Sequence, residues 1–234
     1  MLLVQENDNI PKSLDICSKV EQELQKECFV GVFMEEINRE NLSIHGLAER
    51  TTWNDEYAQR VEDICLSYNA EKASACWQTI SSVYGLISGN EVQLRSHCHR
   101  APNSSDQKKC FMYGAGFMAF LKARNDEDLS NLPSYCDEFS NRGEYQECVF
   151  FIVDTVINSS VNFTDKLTSF CQKIMVDSKE YCFKTILKSL GKYLTNEKVE
   201  NYCDYNLALE INCGKVSSYL DETNIKPTLP ILSQ

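Results

Sequence analysis

Twelve cysteines are the residues of this chain with the most evident chemistry, because a thiol can form a disulfide, bind a metal or attack a substrate. They form six pairs whose partners are 10 to 12 positions apart: Cys17 and Cys28, Cys65 and Cys76, Cys98 and Cys110, Cys136 and Cys148, Cys171 and Cys182, and Cys203 and Cys213. An even number of cysteines at regular spacing predicts disulfides, which persist in an oxidising compartment.

Metal binding and free thiols, structural or reactive, are the alternatives to disulfides. Structural zinc sites use close pairs such as C-x-x-C, and covalent haem attachment uses C-x-x-C-H; neither spacing occurs in this sequence. We therefore expect no metal and no cofactor at the cysteines.

The histidines and carboxylates form no recognisable catalytic set. His97 and His99 flank Cys98 and could hold copper or zinc. Neighbouring positions on a helix point about 100° apart, however, so we expect two surface histidines at a helix end. The third histidine is His45, and no Ser or Cys has an identifiable base with an orienting partner. The chain is predicted not to be an enzyme, and a carboxylate pair that hydrolyses glycosides stays open as an alternative.

The spacing within each pair constrains the backbone. Eleven residues of unbroken helix span about 16 Å, whereas a disulfide needs its Cα atoms within about 7 Å. Local pairing therefore requires a chain reversal between the two cysteines. The reversal is least evident between Cys17 and Cys28, where SKVEQELQKE has strong helix formers and no obvious turn residue. Either the chain turns there, or these two cysteines have other partners.

The segments around the cysteines read as helices. An amphipathic segment precedes each first cysteine, and an apolar segment follows each second one, as in ECFVGVFMEEI and KCFMYGAGFMAFL. Turn residues such as Pro102-Asn103 and Asn141-Arg142-Gly143 lie between them. An aromatic residue follows four of the second cysteines: Phe29, Trp77, Phe111 and Phe183. Val149 to Ile157 is rich in β-branched residues and could form a strand, but its place in the repeat predicts a helix.

The repeat, with a period of about 32 to 38 residues, predicts an all-α fold. It would contain about six antiparallel helical hairpins stapled by disulfides, arranged as an α-solenoid or a compact helical bundle. We expect one domain over residues 1–222 and an extended tail over 223–234. Residues 40–56 lie in the longest gap between pairs, from Cys28 to Cys65, and form a candidate functional insertion, where Thr52 or Asn54 could cap the next helix.

The apolar middle of the chain could line a cavity. Gly114 and Gly116 interrupt an otherwise bulky helix, and we interpret them as sites of close helix packing, with a kink or a cavity wall as the alternative. If a cavity exists, the candidate ligand-binding residues are Met112, Tyr113, Gly114, Gly116, Phe117, Phe150 and Phe151.

Charge and hydropathy limit the partners. The net charge of −11 argues against nucleic-acid binding, which depends on Lys and Arg. No apolar run reaches the 18 to 20 residues or so of a membrane span. Met1 to Val4 is too short for a signal-peptide core. We therefore interpret the chain as a mature fragment whose upstream leader or anchor has been removed, and expect it outside the cytoplasm: secreted, periplasmic or on the cell surface.

Four Asn-x-Ser/Thr sequons, at Asn41, Asn103, Asn158 and Asn162, permit glycosylation in a eukaryotic secretory route.

In architecture alone, the stapled hairpins are similar to cysteine-stapled, tetratricopeptide-type repeat proteins of bacterial secretions. The Ala/Gly/Tyr pattern of those repeats is missing, and their cysteines lie closer together. Insect odorant-binding proteins are also helical and rich in disulfides, but their C-x-x-x-C is absent here. No functional residue is transferred from either family. The expected function is a non-enzymatic interaction or scaffold module that binds another protein; the alternative is a carrier of a small apolar ligand or lipid.

Overall fold

A computed structural model describes residues 9–39, 54–68, 70–208 and 210–221. This part of the chain is all-α, as predicted, with twelve α-helices and no strand. The chain divides into two compact units, Met1–Gly114 and Ala115–Gln234. The single domain over 1–222 stays a prediction. The tail over 223–234 lies outside the described residues, as does most of the insertion at 40–56.

The helices of the first unit are α1 (Ile10–Cys17), α2 (Gln22–Arg39), α3 (Asp55–Leu66), α4 (Ala70–Ile87) and α5 (Glu91–Cys98), and α6 (Ser104–Arg124) contains the boundary between the units. The second unit continues with α7 (Pro133–Cys136), α8 (Arg142–Ser159), α9 (Thr164–Lys173), α10 (Lys179–Leu190), α11 (Asn196–Asn206) and α12 (Val216–Asp221). Three short 3-10 helices lie at Val161–Phe163, Val176–Ser178 and Cys213–Lys215. Consecutive pairs of α-helices, starting from α1 and α2, are numbered hairpins 1 to 6.

Every hairpin is closed by one local disulfide, so all six predicted pairings are confirmed. The bridged Cα atoms lie 5.3 to 5.7 Å apart, within the range for a disulfide. No free cysteine remains. Six disulfides indicate an oxidising, extracellular-type environment.

Hairpin 1 turns without a glycine or a proline. Helix α1 ends at Cys17 and α2 begins at Gln22. The amide nitrogen of Gln25 donates to the carbonyls of Ser18 and Val20, at 3.2 and 3.1 Å. A side chain of α2 thus satisfies two backbone carbonyls of the turn and closes it.

The same device closes hairpin 3. There the Gln107 amide donates to the carbonyls of His99 and Ala101, at 3.3 and 2.8 Å. In both hairpins the glutamine lies three residues before the second cysteine, and the carbonyls lie one and three residues after the first.

In unit 1 the core lies around α4, which packs against α2 and α3. The three aromatic residues that follow the second cysteines here, Phe29, Trp77 and Phe111, are buried in this core. Asparagine side chains cap four helices of this unit by accepting from a backbone N–H of the first turn: Asn9, Asn54, Asn90 and Asn103. At α3 the cap is Asn54, one of the two residues predicted for it.

In unit 2 the core surrounds α8, which packs against α10 and α9. The stretch Val149 to Ile157 is helical, which confirms the prediction from its repeat position over its strand propensity. Every residue of this stretch is buried, including Asp154. The stretch is accordingly apolar on all sides, apart from Asp154 and Thr155.

Candidate interaction surface

The segment between the two cysteines of a staple is called a turn segment below. In unit 1 the turn segments of hairpins 2 and 3 touch, because the Ser74 hydroxyl donates to Asp106 over 2.8 Å. The turn segment of hairpin 2 also touches hairpin 1. Its Lys72 ammonium lies 5.7 Å from the ring centre of Phe29, the residue after Cys28.

In unit 2 the turn segments of hairpins 4, 5 and 6 touch in chain order. The Arg142 guanidinium donates to the carbonyl of Asp177 over 3.0 Å. The backbone N–H of Met175 donates to the Tyr145 hydroxyl over 3.2 Å. The Gln172 amide donates to Glu210 over 3.1 Å. These contacts join the three turn segments into one group, which is called the turn end of unit 2 below.

The turn segments carry most of the large apolar side chains that the described residues expose. Five of the seven lie in turn segments: Leu24, Leu66, Met175, Val176 and Tyr205. The other two are Val92 and Tyr193. Turn segments supply less than a third of the described residues, so exposed apolar side chains are concentrated in them. Such concentrations mark contact surfaces more often than scattered single residues do.

The charge of the turn segments differs between the units. Unit 2 has eight acidic residues there, Asp137, Glu138, Glu144, Glu147, Asp177, Glu180, Asp204 and Glu210, and three basic ones, Arg142, Lys173 and Lys179, for a net charge of −5. None of these residues is buried. Unit 1 has five acidic and six basic residues in its turn segments.

A buried polar cluster joins α3, α4 and the turn segment of hairpin 3. The Glu62 carboxylate, 3% exposed, accepts from the Tyr84 hydroxyl and from the Arg100 guanidinium, both over 2.7 Å. Burial and the hydrogen bond to Glu62 raise the pKa of Tyr84 far above its ordinary value. The hydrogen bond from Tyr84 alone would leave the buried Glu62 carboxylate without a counter-charge. Arg100 supplies that charge.

His97 lies in the same cluster, so the expectation that both histidines are at the surface is wrong for this residue. Its side chain is 13% exposed and stacks on the Tyr84 ring. Its Nε2 lies 3.7 Å from a carboxylate oxygen of Asp55, and no described residue bonds its buried Nδ1. Burial lowers the pKa of His97, and the positive charge of Arg100 lowers it further. His99, by contrast, is exposed as predicted.

A second buried cluster lies in unit 2, around Asp154 of α8. One oxygen of this carboxylate accepts from the Ser189 hydroxyl over 2.8 Å and from the Lys192 ammonium. The other accepts from the Asn158 amide over 2.8 Å, and the Asn158 carbonyl accepts from the Tyr193 hydroxyl. The cluster ties α8 to the end of α10.

The candidate ligand-binding residues are divided between the units, and each part is described within its own unit. In unit 1, Met112, Tyr113 and Gly114 are buried; a Cβ at Gly114 would lie 2.5 Å from Leu94 and 3.2 Å from the carbonyl of Ser81.

In unit 2, Phe150 and Phe151 are buried and Phe117 is partly exposed. A Cβ at Gly116 would lie 2.7 Å from the Thr155 hydroxyl and 2.8 Å from the carbonyl of Phe151. Neighbouring helices thus occupy the space at both glycines, which supports the interpretation as close helix packing. The ligand-binding role of the seven residues stays a prediction.

Three of the four sequons lie in the described part of the chain. Asn162 is exposed. Asn103 is exposed too, but its side chain caps α6 and bonds the backbone and carboxylate of Asp106. Asn158 is held within the Asp154 cluster. Asn41 lies outside the described residues, as does His45.

Within the described ranges, no helix is long and apolar enough to cross a membrane, and no three His, Cys, Asp or Glu side chains are placed to hold a metal ion. No protein family, curated protein or solved structure matches this chain.

Proposed function

We propose that this chain is a non-enzymatic, extracytoplasmic interaction module that binds another protein through the turn segments of its stapled hairpins. The observation that carries the proposal is the concentration of exposed Leu, Val, Met and Tyr side chains in those segments. The disulfides and the contacts between neighbouring turn segments support it, because they fix the position of these side chains before a partner arrives.

The six disulfides also support the location, since such bridges persist in secreted and cell-surface proteins. Both buried carboxylate clusters are better accounted for by structure than by catalysis. Each carboxylate is paired with a cation and with a hydroxyl, and pairing is what a buried charge requires to be tolerated.

Site-specific photo-crosslinking tests the proposal. A benzophenone amino acid replaces Val176 or Tyr205 in the full-length chain, and Val92 in the control. All three side chains are at least three-quarters exposed, so the fold should tolerate each replacement. Irradiation in the extracellular fluid or on the cell surface of the source should give protein adducts from positions 176 and 205 and none from 92. Equal adducts at all three positions, or adducts at 92 alone, would contradict the proposal.

A further inference from the structure

The turn end of unit 2 exposes apolar side chains on a firmly held backbone. Val176 is 84% exposed on a 3-10 helix, beside the exposed Met175 in hairpin 5, and Tyr205 is 89% exposed in hairpin 6. The backbone around Val176 is fixed on both sides, at Met175 N–H by Tyr145 and at the Asp177 carbonyl by Arg142. Apolar side chains held in this way lose little conformational freedom on binding, which favours their use as anchors.

The charge of the turn segments around these anchors limits which partners can bind. The turn segments of unit 2 carry a net charge of −5 on residues that are not buried. Complementary charge steers association and like charge opposes it. A second copy of this chain, with a net charge of −11, is therefore disfavoured as the occupant.

We infer that the turn end of unit 2 binds a cationic protein segment that alternates Lys or Arg with large apolar residues. The apolar residues of the segment pack on Val176, Met175 and Tyr205, and its cations face the surrounding carboxylates. This inference rests on the proposed function and specifies the chemistry of the partner.

The test uses the full chain with its disulfides intact and three fluorescein-labelled peptides: an amphipathic Lys/Leu peptide, the same peptide with Glu for Lys, and the same peptide with Ser for Leu. Fluorescence anisotropy should detect binding of the Lys/Leu peptide alone, weakened by high salt.

The double variant Val176→Ser/Tyr205→Ser should weaken that binding by about tenfold or more, since it removes both anchors. The matched control Val92→Ser, an equally drastic change at an exposed position in unit 1, should leave it unchanged. A second variant, Asp137→Asn/Asp204→Asn, should weaken binding at low salt and have little effect at high salt. Unchanged thermal melts show that the variants fold.

Each other outcome overturns the inference. Binding that Val176→Ser/Tyr205→Ser leaves intact would show diffuse charge attraction in place of a site. Binding of the Glu/Leu peptide through Val176 and Tyr205 would refute the cationic class while leaving the turn-segment surface in place. No binding by any peptide would refute the partner chemistry, and the photo-crosslinking of positions 176 and 205 would still decide the proposed function by itself.

Discussion

The imidazole of His97 lies against the ring of Tyr84, with ring centroids 4.9 Å apart and the ring planes inclined by 12°. The charged groups that face it are Asp55 and Glu62 from α3 and Arg100 from the turn segment. Protonation places a positive charge in a poorly hydrated position beside Arg100, and the two carboxylates offset only part of this cost.

The stability of the protein should therefore fall as pH drops from about 7.5 to about 5.5. The folded pKa of His97 is lowered, so the unfolded histidine, with a pKa of about 6.5, binds its proton first. The loss sets in as the unfolded histidine becomes protonated, within about one pH unit of 6.5, and it continues until the folded pKa is passed. Urea unfolding across this range should show the slope, and His97→Phe, which keeps a ring on Tyr84, should reduce it.

The exposed His99 provides the matched control, since His99→Gln should leave the slope unchanged. Carboxylates with lowered pKa values, such as Asp15 and Asp126, change the stability only below about pH 4. They therefore do not contribute to the slope between about pH 7.5 and about pH 5.5. A slope that His97→Phe does not alter would show that His97 is not its source.

The glutamines at the turns have a measurable role of their own. Gln25→Ala or Gln107→Ala should each cost about 1 kcal/mol of unfolding free energy, because two backbone carbonyls lose a donor. Gln59→Ala is the control, since that amide bonds only the exposed Asp63 one turn along the same helix. Chemical denaturation measures all three. Equal costs at the three positions would contradict a turn-closing role.

At the scale of the helices, replacing two glycines by alanine should change the stability in opposite directions. Gly116→Ala should destabilise the protein by about 1–3 kcal/mol, because the new Cβ would meet the Phe151 carbonyl and the Thr155 hydroxyl at less than 3 Å. Gly31→Ala should stabilise it by about 0.5–1 kcal/mol, since Gly31 lies inside α2 and, among the described residues, no atom outside the adjoining helix backbone lies within 4 Å of the added Cβ. Thermal melts of the two variants should shift in opposite directions. If Gly116→Ala instead stabilised the protein, this would contradict the close approach of α6 and α8 at Gly116.

The link between α8 and α10 depends on an ion pair. Lys192→Met should cost about 3 kcal/mol, because it leaves the fully buried Asp154 without its cation. Adding Asp154→Leu to that variant should recover part of the loss, since the buried charge is then gone. Lys166→Met removes the pair with the exposed Asp126 and should cost far less, since exposed ion pairs contribute little to stability. Additive losses in the double variant would contradict the coupling.

The helices could be predicted from sequence because two signals indicated each of them, the hydrophobic periodicity and the position of a cysteine. Val149 to Ile157 shows the value of the second signal, since its local propensity alone favours a strand. The contacts that close the turns of hairpins 1 and 3 could not be predicted. Nothing local in the sequence shows that Gln25 and Gln107 reach back to carbonyls across the turn, although their shared place before the second cysteine was visible.

The polar clusters could not be predicted, because they depend on contacts between distant parts of the chain. Glu62 meets Tyr84 and Arg100 from 22 and 38 residues away, and Asp154 meets Ser189 from 35 residues away. A carboxylate inside the apolar run of α8 was the one visible signal, since a buried charge needs a partner. The adjacent Cys98 and His99 did not indicate that His97 would stack on Tyr84 and lie near Asp55.

At the scale of the whole molecule, the staples connect fold and proposed function. Each disulfide closes a loop of about a dozen residues and should contribute about 2–3 kcal/mol by restricting the unfolded chain. In hairpins 1, 2, 5 and 6 the same bridge holds a turn segment that carries exposed apolar side chains. Loss of one of these four staples should therefore affect both stability and binding at that hairpin.

The pairing of the cysteines is the claim on which everything else depends, and peptide mapping without reduction measures it directly. Proteolysis of the native chain followed by mass spectrometry should recover six linked peptides, each joining the two cysteines of one hairpin: Cys17–Cys28, Cys65–Cys76, Cys98–Cys110, Cys136–Cys148, Cys171–Cys182 and Cys203–Cys213. A linked peptide that joins cysteines of two different hairpins, or free thiols at these positions, would contradict the stapled hairpins.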